Sequence, residues 1–349
     1  MSTPTVTVAE SVVEAGAFAG RDVTVRSSAV LDLNAVRVRL MSNMQDFPGF
    51  SYFADFAEPD AAADYEVVCV DLDRDPYDVS LLEAAADRTF RSKRFRTGFY
   101  LVHFFGDPAY LITRGNRFHV FGRRLEKTVW PYFVKHILTM YAADHGFVHL
   151  KAAGFAHPDG TGTLLLGRQG GGKTVFLAQA CAGGADFLAN THTLVKDGVA
   201  HGVHSAMRVR SDDCFRDIIE RRNLTPHIES GDYVASPYEL FDGRTVKQAA
   251  VRNIVIADFD PRRPQGLEPV SDQATTAFLE QFSSAVTMYG LKDDLYTHCG
   301  NDLDRYTRTY EHMREQATRL VSGARCFRAN VDMLDESVRD AVLSTLAAA

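Results

Sequence analysis

The sequence is short of the features that announce a chemistry most directly. Its five cysteines, Cys69, Cys181, Cys214, Cys299 and Cys326, are odd in number, scattered and never spaced C-x-x-C, which argues against both a disulfide framework and a thiolate metal site. Neither H-E-x-x-H nor G-x-S-x-G occurs, so the signatures of a zinc peptidase and of a serine hydrolase are missing. Positive charge is in deficit. With 38 Lys and Arg against 45 Asp and Glu, and a formal net charge of -7, a nucleic-acid groove is not expected, because phosphate backbones are gripped by surplus Lys and Arg. No apolar run reaches the roughly 20 residues that cross a bilayer. The opening MSTPTVTVAESVVEAG also lacks the basic-then-apolar order of a signal peptide. These absences together lead us to expect a cytoplasmic protein that binds neither nucleic acid nor membrane.

What is present is an ordinary globular composition, 46% hydrophobic and 24% charged over 349 residues, enough for one large domain with an N-terminal extension or for two domains. Up to about residue 122, short β-type runs alternate with turn residues: 36–40, 66–70 and 98–105, then a hairpin from Ala109–Thr113 to Arg117–Phe121 across Arg114-Gly115-Asn116. This predicts a sheet-rich region over 1–122. Asp71-Leu-Asp73-Arg-Asp75 has the alternate carboxylates of a calcium loop. However, Pro76 stands where glycine is needed and Leu82 where the bidentate glutamate belongs, so a solvated turn is expected instead.

The region 123–349 reads as mixed α/β with a helical C-terminal part. Apolar residues at helical spacing predict a helix over 125–143, with Pro131 near its start. One strand is expected over 146–155 and another over 186–195, and Asp212 is expected to cap a helix through Arg221. Between the first two strands lies the most informative stretch. The apolar run Thr163-Leu164-Leu165-Leu166 leads into Gly167-Arg168-Gln169-Gly170-Gly171-Gly172-Lys173-Thr174 and then into a helix-forming segment. This is G-x-x-x-x-G-K-[ST], in which glycines turn backbone N–H groups onto a phosphate and the new helix presents its positive end there. Lys173 then serves the β- and γ-phosphates and Thr174 holds Mg²⁺, so ATP or GTP with Mg²⁺ are the expected ligands. Arg208 and Arg210, two residues apart on one face of a strand, are candidates to steady the phosphates. Asp258, at the end of the apolar run 251–257, is a candidate metal-side carboxylate.

VHLKAAGF, GRQGGGKT, GADFLANTHTLVKDG, IVIADFDP and CFRANVD follow one another in an order that resembles the kinase domain of HPr kinase/phosphorylase and its relatives. Those relatives include kinases of peptide natural-product biosynthesis, and the fold is related to phosphoenolpyruvate carboxykinase. The resemblance spans about 147–331. It implies a P-loop kinase fold and transfer of a γ-phosphoryl group to a hydroxyl on a peptide, protein or small metabolite. It also places His149 where the family has a histidine near the acceptor. Where the family carries an Asp-Asp pair, this chain has Asn190-Thr191-His192. Asn190 can still offer an oxygen to a metal but cannot take a proton, so the general base is expected to be His192 or, across the adjacent strand, His149. The missing pair keeps open a nucleotide-binding regulatory protein, and a nucleoside triphosphate hydrolase is a third alternative. The N-terminal region is expected to recognise the acceptor or a partner, and a homo-oligomer is left open.

Overall fold

A computed structural model describes residues 5–7, 22–86, 88–95, 102–125, 133–210, 213–226 and 233–348. The protein is mixed α/β, with several sheets and, among the described residues, ten α-helices. It divides into two compact units, Met1–Lys135 and His136–Ala349.

In the first unit, β1 (Thr5–Thr7) and β2 (Asp22–Thr24) form a small antiparallel pair. A seven-stranded sheet comprises β3 (Ser27–Asp32), β4 (Arg37–Ser42), β5 (Phe56–Ala57), β6 (Tyr65–Asp71), β7 (Arg88–Phe95), β8 (Val102–Arg114) and β9 (Arg117–Gly122), in the order β5-β3-β4-β6-β9-β8-β7. The β8–β9 hairpin closes at Gly115, whose φ of 58° suits the tight turn, with Arg114 opposite Arg117. Alternation places Val68, Val70, Tyr110, Ile112 and Phe121 in one buried cluster with Leu82 of α1 (Val79–Ala85). The acidic turn after β6 uses its charge internally. The Asp71 carboxylate accepts from the N–H groups of Asp73 and Arg74, and Asp73 pairs with Arg123 at 2.7 Å.

At the start of the second unit stands α2 (Lys135–His145), which covers the latter part of the expected helix and runs two residues past it; residues 126–132, Pro131 included, lie outside the described residues. Its strands are β10 (Val148–Lys151), β11 (Ala153–Ala156), β12 (Thr161–Leu166), β13 (Asp186–Ala189), β14 (His192–Lys196), β15 (Val199–Gly202), β16 (Met207–Val209), β17 (Tyr233–Ala235), β18 (Gln248–Ala257), β19 (Gly266–Pro269) and β20 (Arg325–Asn330). Nine of them form one sheet along the path β10-β14-β15-β18-β12-β11-β13, with β20 beside β18 and β19 beside β20. β10 and β11 stand far apart on this path yet are separated in sequence only by Ala152, so the sheet must curl back on itself. Gly202 fits that curl, since a Cβ there would overlap the Leu188 carbonyl oxygen.

Two expected strands are therefore each two. The run 146–155 breaks at Ala152 because its backbone changes partners: Lys151 donates to Ser283 and β10 pairs with β14, whereas β11 pairs with β12 and β13. The run 186–195 breaks at Asn190, whose amide donates to the Ala206 carbonyl at 3.1 Å and accepts from the Ser205 hydroxyl at 2.7 Å. Residues 199–210 likewise do not stay in one sheet, as β16 leaves to pair with β17.

The remaining helices are α3 (Lys173–Ala182), α4 (Arg216–Arg222), α5 (Pro237–Leu240), α6 (Asp272–Phe282), α7 (Ala285–Met288), α8 (Lys292–His298), α9 (Leu303–Ser322) and α10 (Glu336–Ala347). Side-chain oxygens of Ser271, Asp302 and Asp335 cap α6, α9 and α10, satisfying N–H groups that have no partner within the helix. Asp212, expected to cap the helix ending at Arg221, lies outside the described residues.

Candidate nucleotide and phosphate site

β12, β18 and β20 are adjacent and parallel, so the chain leaves all three at the same end of the sheet. In open α/β sheets that is the end where ligands gather. From β12 the chain enters the glycine loop and then α3, buried through Phe176, Leu177, Ala180 and Cys181. Two glycines are required by the neighbouring strand. A Cβ on Gly167 would lie 2.6 Å from the Ala257 carbonyl oxygen, and one on Gly171 would lie 2.8 Å from it. Gly172 caps α3 in a left-handed conformation with φ 84°. The Gly171 N–H closes the loop onto the Arg168 carbonyl at 3.2 Å, while the first turn of α3 presents N–H groups with no partner within the helix at the positive end of the helix.

The Lys173 ammonium donates to the carbonyls of Gly167 at 2.7 Å and Arg168 at 2.8 Å. Burial and the charge of Lys151 push its pKa down to about 8. Both causes disfavour the cation, and the attraction of an anion beside it would offset them.

A cavity of about 380 Å³ opens against the loop. Gly170, Gly171, Gly172, Lys173 and Thr174 line it, and so do Arg208, Arg210 and Asp258. These residues come from three separate parts of the chain. Arg208 is exposed between buried Met207 and Val209 on β16, so alternation turns it outward. Asp258 directly follows β18, its N–H held by the Ala329 carbonyl at 3.0 Å and its carboxylate 3.3 Å from Arg263. Thr174 and Asp258 supply a hydroxyl and a carboxylate, oxygen donors that fit Mg²⁺. Among the described residues no three His, Cys, Asp or Glu side chains converge on a metal position, so an ion at these two would take its other oxygens from water and a phosphate ligand.

The other expected site residues stand apart from this cavity wall. Gly167 lies beneath the loop, Gln169 is exposed, and the Arg168 guanidinium sits 4.5 Å over the Phe282 ring. Asn190 commits both ends of its amide to the 205–206 segment. His149 and His192 are 1% and 0% exposed and bond to each other, Nε2 to Nδ1, at 3.0 Å. Thr139 Oγ1 lies 2.8 Å from His149 Nδ1, and the Tyr289 ring centre is 5.8 Å from that of His192. A bond between two imidazoles needs one donor and one acceptor, so at most one of the pair is cationic.

Two parts of the site escaped the sequence reading. Lys151 is half-buried, and its charge reaches Lys173. The clue was its place two residues after His149 on a strand, which puts both on one face. The nonpolar part of the cavity, Phe215, Val331 and Met333 among others, had no local signal, because it comes from segments more than a hundred residues apart. Compared with models of known protein families, the sequence matches none; compared with curated proteins, it again matches none.

Proposed function

We propose that the chain is a Mg²⁺-dependent kinase of the P-loop, HPr kinase-like type, transferring the γ-phosphoryl group of ATP or GTP to a hydroxyl of a peptide, protein or small metabolite. One observation carries this reading. A glycine loop and helix N-terminus, a lysine, a threonine, two arginines and an aspartate surround one cavity at the C-terminal ends of parallel strands. Phosphoryl transfer asks a protein mainly for position and charge neutralisation, and this set provides both. The loop N–H groups and Lys173 would hold the β- and γ-phosphates, Arg208 and Arg210 would add positive charge, and Thr174 and Asp258 would hold Mg²⁺. The metal, when bound, neutralises phosphate charge. His192, backed by His149, is the proposed acceptor of the hydroxyl proton, a role that requires the buried pair, which does not line the cavity, to be reached by the acceptor.

A second reading is binding of nucleotide without transfer. It is favoured by the committed Asn190 amide and by the burial of the histidine pair. Incubation with γ-labelled ATP or GTP, Mg²⁺ and a mixture of hydroxyl-bearing peptides and metabolites separates the readings. The kinase puts label on a new species, a hydrolase releases it as orthophosphate, and a regulatory binder leaves it on the nucleotide. Absence of any Mg²⁺-dependent nucleotide binding in calorimetry defeats all three.

A further inference from the structure

The cavity wall is of two kinds. One part of its wall is the charged loop, and another part is nonpolar and includes buried Phe215, Val331 and Met333. Phe259, 39% exposed, and Leu334, 42% exposed, also line it, two of only five large hydrophobic residues exposed to that degree among those described, and Phe259 stands beside the loop, its Cβ 3.6 Å from where a Cβ on Gly172 would lie. Scattered surface hydrophobics need no explanation. A pair lining one cavity does, especially when the backbone beside each is held by hydrogen bonds.

Phe259 lies between two anchored aspartates. The Asp258 N–H is bound to Ala329, the Asp260 N–H donates to Asn330 Oδ1 at 2.7 Å, and the Asp260 carboxylate is gripped by Arg262. The Leu334 N–H donates to the Asp332 carboxylate at 3.0 Å, and the next residue, Asp335, caps α10. Both residues follow the C-terminal ends of β18 and β20, which pair directly through Ala257 and Ala329. Holding exposed apolar side chains on immobile backbone costs little ordering entropy when a flat apolar group arrives.

We infer that Phe259 and Leu334 form a clamp for the nucleobase of the nucleotide whose phosphates occupy the glycine loop. This rests on reading the loop as a triphosphate site. The clamp explains why nonpolar side chains line the same cavity as the phosphate-binding groups. It also gives the base contact through area and stacking rather than through a pattern of hydrogen bonds. Weak discrimination between ATP and GTP follows.

Calorimetry with Mg²⁺ and three probes, ATP, GTP and inorganic tripolyphosphate, tests the clamp on the full chain. The expected result is that both nucleotides bind at least about tenfold more tightly than tripolyphosphate. Leu334→Ala and Phe259→Ala should each remove several-fold of that advantage, the double variant most of it, and Phe259→Tyr should retain it. Both side chains are substantially exposed, so the variants should melt with the wild type. If tripolyphosphate binds as well as ATP, or if both alanine variants keep full ATP affinity, the clamp is wrong while the loop reading stands. If neither tripolyphosphate nor nucleotide binds, loop reading and clamp fall together.

Discussion

Two of the concentrations of polar side chains in the second unit are built in opposite ways. Around the glycine loop, lysine, arginines, threonine and aspartate edge an open cavity, and the backbone N–H groups at the start of α3 have no partner within the helix. Around His149 and His192 the polar atoms answer one another: hydroxyl to imidazole, imidazole to imidazole, under a tyrosine ring and away from solvent. Residue types alone do not separate the two, since histidines beside a nucleotide loop look as catalytic in a sequence as the loop itself. What separates them is where the hydrogen bonds end. A group whose partners are all within the fold contributes to stability first, and a group facing a cavity contributes to binding first.

The largest expected effect lies on the open side of that contrast. Lys173→Ala should lower phosphoryl transfer by about 100-fold or more, the scale on which loss of one charge-stabilising donor is felt, with little change in melting temperature. Equal transfer by Lys173→Ala and wild type in the γ-label assay would remove the loop from the chemistry. On the sealed side, His192→Ala should cost about 2–4 kcal/mol of stability, from the cavity it leaves and the bonding nitrogen it strands on His149. Denaturant unfolding reads this directly. If the pair is structural only, the folded fraction of His192→Ala transfers phosphate at the wild-type rate. If transfer is lost while stability holds, the histidine is the proton acceptor proposed above and the contrast breaks.

The loop was legible in the sequence because its signal is local: an apolar strand, glycines at fixed offsets, then Lys-Thr opening a helix. The β8–β9 hairpin is local in the same sense. Asp258 could be singled out because an apolar run ended in an acid, and the structure puts it in the cavity wall with Arg208 and Arg210. The two broken strands could not be read. No turn residue marks Ala152 as the place where the backbone exchanges β14 for β12 and β13, and the Asn190 bend depends on a contact fifteen residues away. The nonpolar half of the cavity is assembled from residues at 215 and 331–334, a pairing that no periodicity encodes.

Lys151 sharpens the contrast most finely, because it lies on the same face of β10 as the sealed His149 yet its charge acts on Lys173 of the open site. If it belongs functionally with the loop, Lys151→Ala should weaken tripolyphosphate binding by roughly threefold to tenfold, about 1 kcal/mol, as removal of one partly screened charge predicts. The loss should shrink as salt rises from about 0.05 to 0.5 M, since mobile ions screen a charge that is only half-buried. Lys151→Arg should restore most of it. A salt-independent loss accompanied by a lower melting temperature would instead tie Lys151 to the packing of β10, and would leave Lys173 as the lysine that reads the phosphates.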